Sequence, residues 1–468
     1  MSSMNENPLG QEKISKLLRS FAIPSITAML VSSLYNIVDQ IFIGQGVGYL
    51  GNAATNVSYP LSTICLAIAL LIGVGSAARF SLCLGRKEPE QAAKIAGNGV
   101  VLMAVIGALY LLVGELFLTP LLRIFGTTDQ VMPYAQQYAG ITLIGMPFLI
   151  LTNGISNLIR ADGRPKYSMA CMVAGAIVNT ILDPVFIFIF HWGMIGAALA
   201  TILGQFLSFF MALGYLWRFR NIRLTRACFR VDLREMGRTF YTGISSCVNQ
   251  VAITIVQIAL NNSLTYYGAM SVYGEEIPLA ACGIVMKTNA ILLSIIVGIS
   301  QGVQPIIGFN FGAQKYQRVK QAYLLAIKWN LVISAVGFIL FQFFPRAIIS
   351  LFGTGDELYY EFAILFMRTF LFMVLVNGVQ LLSSNFFTAI GKALKGLFLS
   401  LTRQIFFLIP LMLLLPLWLG LFGVLVAGPI ADGIAFVVSV IFVVREFRKM
   451  TELEEQRKAR LEAGGEQS

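Results

Sequence analysis

The chain has 468 residues, 57% of them hydrophobic and only 12% charged, and its apolar residues fall in long runs instead of short periodic stretches. That pattern excludes a soluble globular protein and points to an all-α polytopic membrane protein, since each span needs about 20 largely apolar residues. The net charge of +11 would suggest nucleic acid in a soluble protein. Here its distribution follows membrane orientation instead, and no nucleic-acid partner is expected.

Twelve runs can be counted, at residues 17–43, 52–79, 91–116, 131–158, 167–190, 194–217, 238–267, 277–307, 317–342, 358–386, 395–416 and 420–443, each read as a transmembrane helix. The first is long, carries polar and acidic residues and lacks a small-residue cleavage signature, so it is expected to be a retained helix and not a signal peptide. Of the 34 lysines and arginines, 28 fall on one side of such a bundle, among them seven arginines from Arg218 to Arg238. The opposite loops hold only Arg123 and Arg346. By the positive-inside rule both termini are cytoplasmic, in a multi-pass protein of the plasma (inner) membrane. The charged tail from Arg445 to Ser468 reads as a solvated cytoplasmic helix fraying at Gly464 and Gly465.

In chain order, the first feature is Pro24, which removes a backbone hydrogen bond inside helix 1 and lets it bend. Asp39 follows fifteen residues later in the same apolar run. A second acid, Asp183, lies in helix 5 between Asn179 and Pro184. Asn179 and Asp183 are four apart and share a helix face. A carboxylate at such depth costs roughly 2.5–3.5 kcal/mol at a helix centre, so a chain that keeps one has a use or a partner for it. Counted from the outer helix ends at about 1.5 Å per residue, Asp39, Tyr138 on helix 4, Asp183 and Thr201 on helix 6 share one layer with Asn179. No buried lysine or arginine is expected inside the six spans of this half.

Two carboxylates in low dielectric do not both stay ionised cheaply. The layer therefore reads as a coupling-ion site for H+ or Na+, with Asn179, Thr201 and Tyr138 supplying neutral oxygens or donors.

The chain also matches itself at an offset of 227. Phe125, Gly126, Thr127 and Asp129 return as Phe352, Gly353, Thr354 and Asp356. Gly75 and Gly85 return as Gly302 and Gly312, Gly193 and Gly196 return as Gly420 and Gly423, and, with one inserted residue, Asn157, Ala161, Gly163 and Arg164 match Asn385, Ala389, Gly391 and Lys392. Two six-helix lobes follow, at residues 1–217 and 238–443, with a basic linker at 218–237 and the tail at 444–468. Six is even, so the repeat is parallel, an architecture of transporters that hold substrate between rocking halves. The second half carries Lys287, Lys328, Arg368 and Arg403 in its helices and no comparably deep acid. All four come out near the midplane, where they either face the cavity or bind helix-end carbonyls and polar neighbours; on the first reading the second half is electropositive, and Lys287 and Arg368 favour anionic or zwitterionic substrates.

These motifs resemble the multidrug and toxic compound extrusion (MATE) family, in its DinF-like and MepA-like branch. The resemblance rests on Pro24 with Asp39, on Asn179 to Pro184, on Gly193 to Thr201, and on QGVQPIIGFNFGAQ starting at Gln301. It implies a V-shaped pair of lobes exporting small amphipathic organic molecules in exchange for protons or sodium, and with that multidrug efflux. It also implies that helix 1 bends near Pro24 as the site at Asp39, Tyr138, Asn179, Asp183 and Thr201 fills. In the NorM-like branch, acids in helices 7 and 10 form a second-lobe cation site. Here those helices offer Gln250, Gln257, Asn261, Asn377 and Gln380, so a sodium site of that kind is not expected and these residues are placed with Lys287 and Arg368 in the substrate cavity. A monomer without organic cofactor or bound metal is expected.

Two other readings compete. One is a flippase or exporter of anionic lipid-linked or metabolite substrates, suggested by the seven arginines between the halves. The other is a membrane-embedded enzyme. Against it, His191 is the only histidine and sits in a short loop, and no HExxH, no GxxxxGK and no histidine-paired nucleophile occurs. The six cysteines are scattered and read as packing residues.

Overall fold

The structure is a computed structural model that describes residues 7–352 and 356–465. Among these, eleven helices are long and apolar enough to cross a membrane, and a bent pair supplies a twelfth span. In the first half they are α1 (Ile14–Gly46), α2 (Tyr49–Gly85), α3 (Pro89–Leu116), α4 (Met132–Ala161), α5 (Pro165–Pro184) and α6 (Gly193–Tyr215). The second half holds α7 (Leu233–Ala269), α8 (Glu276–Gly312) and α9 (Tyr316–Phe343). It continues with α10 (Glu357–Phe370 with Val374–Ala389, bent by 49°), α11 (Ala393–Leu419) and α12 (Leu421–Gly465). The helices overrun the apolar runs because their polar ends stay helical past the membrane. Arg160 thus lies inside α4 two residues past its apolar run, buried and donating to Asn157 Oδ1 at 2.6 Å, and Arg79, which closes the second run, is half-buried within α2, contrary to the expectation of a first half without buried bases.

Repeated glycines sit where only glycine is comfortable. Gly163 and Gly391 have φ +92° and +78°, and Gly193 and Gly420 have +53° and +56°, so each pair closes the same left-handed turn in both halves. Gly353 and Thr354 of the repeat lie outside the described residues.

One end of the bundle, here the basic end, collects both ends of the described chain and most of the lysines and arginines. There the buried apolar residues form a single core that draws on both halves, from Phe21, Ile72 and Ile155 to Ile306, Phe386 and Val443. Toward the far end the core divides. Ile43, Leu61 and Ala197 belong to a cluster confined to the first half, and Leu260, Phe366 and Val424 to one confined to the second. The two lobes are thus joined at the basic end and part toward the far end.

Small residues make the junction. A Cβ on Gly298 would lie 2.6 Å from Ile26 Cα, and one on Gly302 2.7 Å from Ala22 Cα, so α8 rides directly on α1. The repeat-related contact joins α2 to α7, where a Cβ on Gly75 would meet Thr239 O at 2.3 Å and one on Gly243 would meet Leu71 O at 1.7 Å. Polar groups reinforce it. Arg79 pairs with Glu235 and donates to Thr239 Oγ1 at 3.1 Å. The N-terminal segment is held by the second half: Asn310 Nδ2 and Lys315 Nζ donate to Leu9 O and Gly10 O at 3.0 and 2.9 Å, and Arg318 donates to Glu12 O at 2.7 Å.

The linker is anchored by Asp162, which accepts from Tyr215 Oη at 2.7 Å and from the backbone N–H of Arg220 and Asn221 at 2.7 and 3.0 Å. Burial pushes this carboxyl above the usual range, and those donors pull against the shift. The tail is less solvated than expected. Glu446 pairs with Lys392 and Lys395, Met450 is buried, and Arg457 donates to Gln314 O at 3.0 Å. The first turns of α12 beyond the apolar run therefore dock against the second half.

Candidate ion site and cleft

Close helix approaches build the site. A Cβ on Gly204 of α6 would lie 2.6 Å from Gly175 O and 3.2 Å from Asn179 Cβ of α5, so these two glycines bring Asn179 against α6. At the far end of α1, a Cβ on Gly46 would strike Ile187 at 2.0 Å. Ile187 lies in the π-helical turn Val185–Ile189 that continues α5. Pro184 has no N–H to return to the carbonyl four residues back, and wide turns of this kind follow from such a break. The result sets Asp183 opposite Asp39.

All five residues expected at the site come together from four helices. The Asp39 and Asp183 carboxyl groups lie within hydrogen-bonding reach of each other, with the residues 8% and 0% exposed. Asn179 Nδ2 donates to Asp183 Oδ1 at 3.4 Å and to Thr201 Oγ1 at 3.3 Å. Thr201 donates onward to Ala197 O at 3.0 Å, with the Tyr138 side chain beside it. Tyr35, one turn before Asp39, also lies near both carboxyl groups. Sequence reading passed over it, although its i, i+4 relation to Asp39 was a signal.

Three buried oxygens of this cluster, Asp39 Oδ1, Asn179 Oδ1 and Asp183 Oδ2, have no hydrogen-bond partner. Unpaired oxygens in a dry site are costly. A proton shared between the acids, or a small monovalent cation, would satisfy them. No group of three or more histidine, cysteine or acidic residues able to hold a metal occurs among the described residues.

The cleft between the lobes is lined by the helix faces that form the junction. Outward from Gly243, the same line of α7 carries Gln250, Thr254, Gln257 and Asn261. Gln257 Nε2 donates to Asn261 Oδ1 at 2.9 Å, and both are half-buried. On α1 and α8, Ser33 and Ser294 share a hydrogen bond of 2.6 Å across the lobes.

Two residues expected in the cavity, Gln380 and Arg368, are held elsewhere. Gln380 is buried and donates to Leu399 O at 2.8 Å, between α10 and α11. Asn377 is buried. Arg368 donates through Nε to Gln342 O at 2.9 Å, while the Gln342 amide returns a 2.8 Å bond to Arg368 O. It caps the end of α9 instead of facing the cleft.

The second half also holds a deep acid, contrary to expectation. Asp432 on α12 is buried and pairs with Arg403, which lies in the π-helical stretch Thr402–Leu408 of α11. Arg403 is therefore neutralised inside its lobe. Lys328 is exposed on a stripe of α9 with Leu324, Val332 and Val336 at 56%, 46% and 54% exposure, a lipid-facing surface.

Comparison with known proteins adds an independent line. A family model described as MatE matches residues 24–185 and 246–414, one stretch in each half. A protein of Shewanella oneidensis named as an FAD transporter is 26% identical over 428 residues, covering 90% of this chain and 92% of that protein. The multidrug export protein MepA of Staphylococcus haemolyticus is 26% identical over 442 residues, covering 92% and 94%. A solved structure described as the outward-facing conformation of a multidrug resistance MATE family transporter of the MOP superfamily superposes with a TM-score of 0.89 at 22% identity, covering 97% of this chain and 100% of that one.

Proposed function

The chain belongs to the MatE family of membrane transporters, and from that premise we propose that it is a secondary antiporter expelling small amphipathic organic compounds in exchange for H+ or Na+. Its work is transport across a bilayer and not catalysis. The observation that carries the coupling is the meeting of Asp39 and Asp183, with three unpaired oxygens and the Asn179, Thr201 and Tyr138 groups around them. The basic end is cytoplasmic by the positive-inside rule, in a plasma-membrane protein with both termini inside. With the junction closed there and the lobes parted at the other end, this conformation faces outward.

In an alternating-access cycle, loading the acids with an ion changes the electrostatics of α1, and α1 carries the lobe junction at Ala22 and Ile26. Substrate and ion then compete by favouring different conformers. The test is dye efflux from proteoliposomes under a pH gradient or a sodium gradient imposed separately. One of them should drive efflux, and no efflux under either would remove the proposal.

A further inference from the structure

The antiport reading leaves the charge of the substrate open, and Lys287 bears on it. Lys287 precedes Ser294 by seven residues and Gly298 by eleven, so all three lie on one line of α8. Gly298 packs on Ile26 and Ser294 bonds Ser33, both residues of α1. Lys287 therefore points across the cleft toward α1, beyond the level where the lobes last touch. The antiparallel register set by Gly302 on Ala22 and Gly298 on Ile26 carries it to the depth of Asp39.

That stripe is open and made of small or polar residues, without the large apolar side chains of a lipid-facing one. Gly283, Lys287 and Ala290 are exposed along it, ending at Ser294, and a Cβ on Gly283 would meet nothing within 4 Å. The α9 stripe around Lys328, by contrast, is leucine and valine. Facing it on α1, the stripe through Ser33 continues with exposed Asn36 and half-buried Gln40, and is polar. Asp39 itself turns away into the first lobe, onto Asp183. Among the described residues no carboxylate lies within ion-pair distance of Lys287, whereas Arg403 and Arg368 are each satisfied within their lobe.

We infer that Lys287 is the residue that reads substrate charge, forming a charge-assisted hydrogen bond with a carboxylate, phosphate or sulfonate on an amphipathic anion or zwitterion. This inference rests on the reading that the cleft carries organic substrates. An ammonium with its neighbours at the cleft wall is placed for that contact, and a purely cationic substrate would be repelled by it while drawn to the acids of the other lobe.

The test uses two xanthene dyes of similar shape, anionic carboxyfluorescein and cationic rhodamine 6G, with the full chain in proteoliposomes. Lys287→Gln should lower the ratio of anion to cation transport by about tenfold, the loss expected for one charged hydrogen bond. Lys287→Glu should lower it further, and Lys328→Gln, on the lipid face, should not move it. An unaltered ratio in both Lys287 variants, with wild-type transport intact, would overturn the inference and leave the antiport reading standing. Dye binding to purified protein, read by fluorescence anisotropy, separates the other case. If wild type transported neither dye but bound carboxyfluorescein in a Lys287-dependent way, the antiport reading would fall and the inference would hold. Binding of carboxyfluorescein independent of Lys287, or none, would overturn it.

Discussion

Gly85 and Gly312, 227 positions apart in the sequence, meet where α2 and α8 cross at the basic end: a Cβ on Gly85 would lie 3.0 Å from Gly312 Cα and 2.1 Å from Phe309 O. Repeat mates touching each other place the pseudo-two-fold axis between them. The flanking contacts Gly75 with Thr239 and Gly302 with Ala22 are then the two copies of one joint. A transporter that opens toward this end must part these contacts, so their tightness sets how much time it spends facing outward.

A wedge at this joint should shift that balance. Gly298→Val puts bulk against the α1 backbone at Ile26, and overpacking of this kind costs about 1–3 kcal/mol. The closed basic end should lose population by roughly 5- to 150-fold relative to the open one. A cysteine at Ser294, in a background without reactive native cysteines, should become less labelled by an impermeant maleimide from the far side and more from the basic side. Unchanged labelling from both sides would mean the glycine contacts do not govern the equilibrium.

Asp39→Asn and Asp183→Asn should each reduce gradient-driven export to background while the protein stays folded. The amide keeps the shape of the carboxyl group but cannot cycle a charge. Export assays alongside thermal unfolding in detergent would check this, and wild-type rates in either variant would contradict it.

Pro24→Ala should restore a helix hydrogen bond within α1 and stiffen it, slowing turnover several-fold with little effect on ion affinity. Pro24 is buried inside an uninterrupted helix, three turns before Asn36 and on the stretch that packs against α8. Turnover equal to wild type would make it a static feature of the helix.

Breaking the Arg403–Asp432 pair tests a structural role. Asp432→Asn leaves a buried guanidinium without its counter-charge and should destabilise the second half by about 3–5 kcal/mol, seen as a lower melting temperature in detergent. Replacing both, as Arg403→Met with Asp432→Leu, should recover most of that loss. A melting temperature unmoved by Asp432→Asn would show that the pair contributes nothing to the lobe.

Much of this was legible in the sequence, for definable reasons. Spans announce themselves because lipid tolerates little polarity, and the repeat announced itself because glycines at left-handed turns, such as Gly163 and Gly391, accept few replacements. The acid site was readable because counting along straight helices gives depth. Where helices are not straight the counting failed. α10 is bent at residues 371–373, so Arg368 came out near the membrane centre, whereas it reaches the end of α9. Asp432 was passed over because its partner lies 29 positions away on another helix, a relation no periodicity reveals. Nothing in the chain marked Gly298 or Gly243 as contacts between halves, since a glycine in a membrane helix has the same appearance whether a backbone or a lipid lies against it.

The central claim, that the Asp39–Asp183 pair carries the coupling ion, is tested most directly by running the exchange backwards. Proteoliposomes loaded with substrate and diluted into substrate-free medium, with no ion gradient imposed, should take up H+ or Na+ as substrate leaves, recorded by pH-sensitive and sodium-sensitive dyes trapped inside. The account predicts uptake of one of these ions in wild type and none in Asp39→Asn or Asp183→Asn. Ion uptake persisting at the wild-type rate in both variants would contradict it.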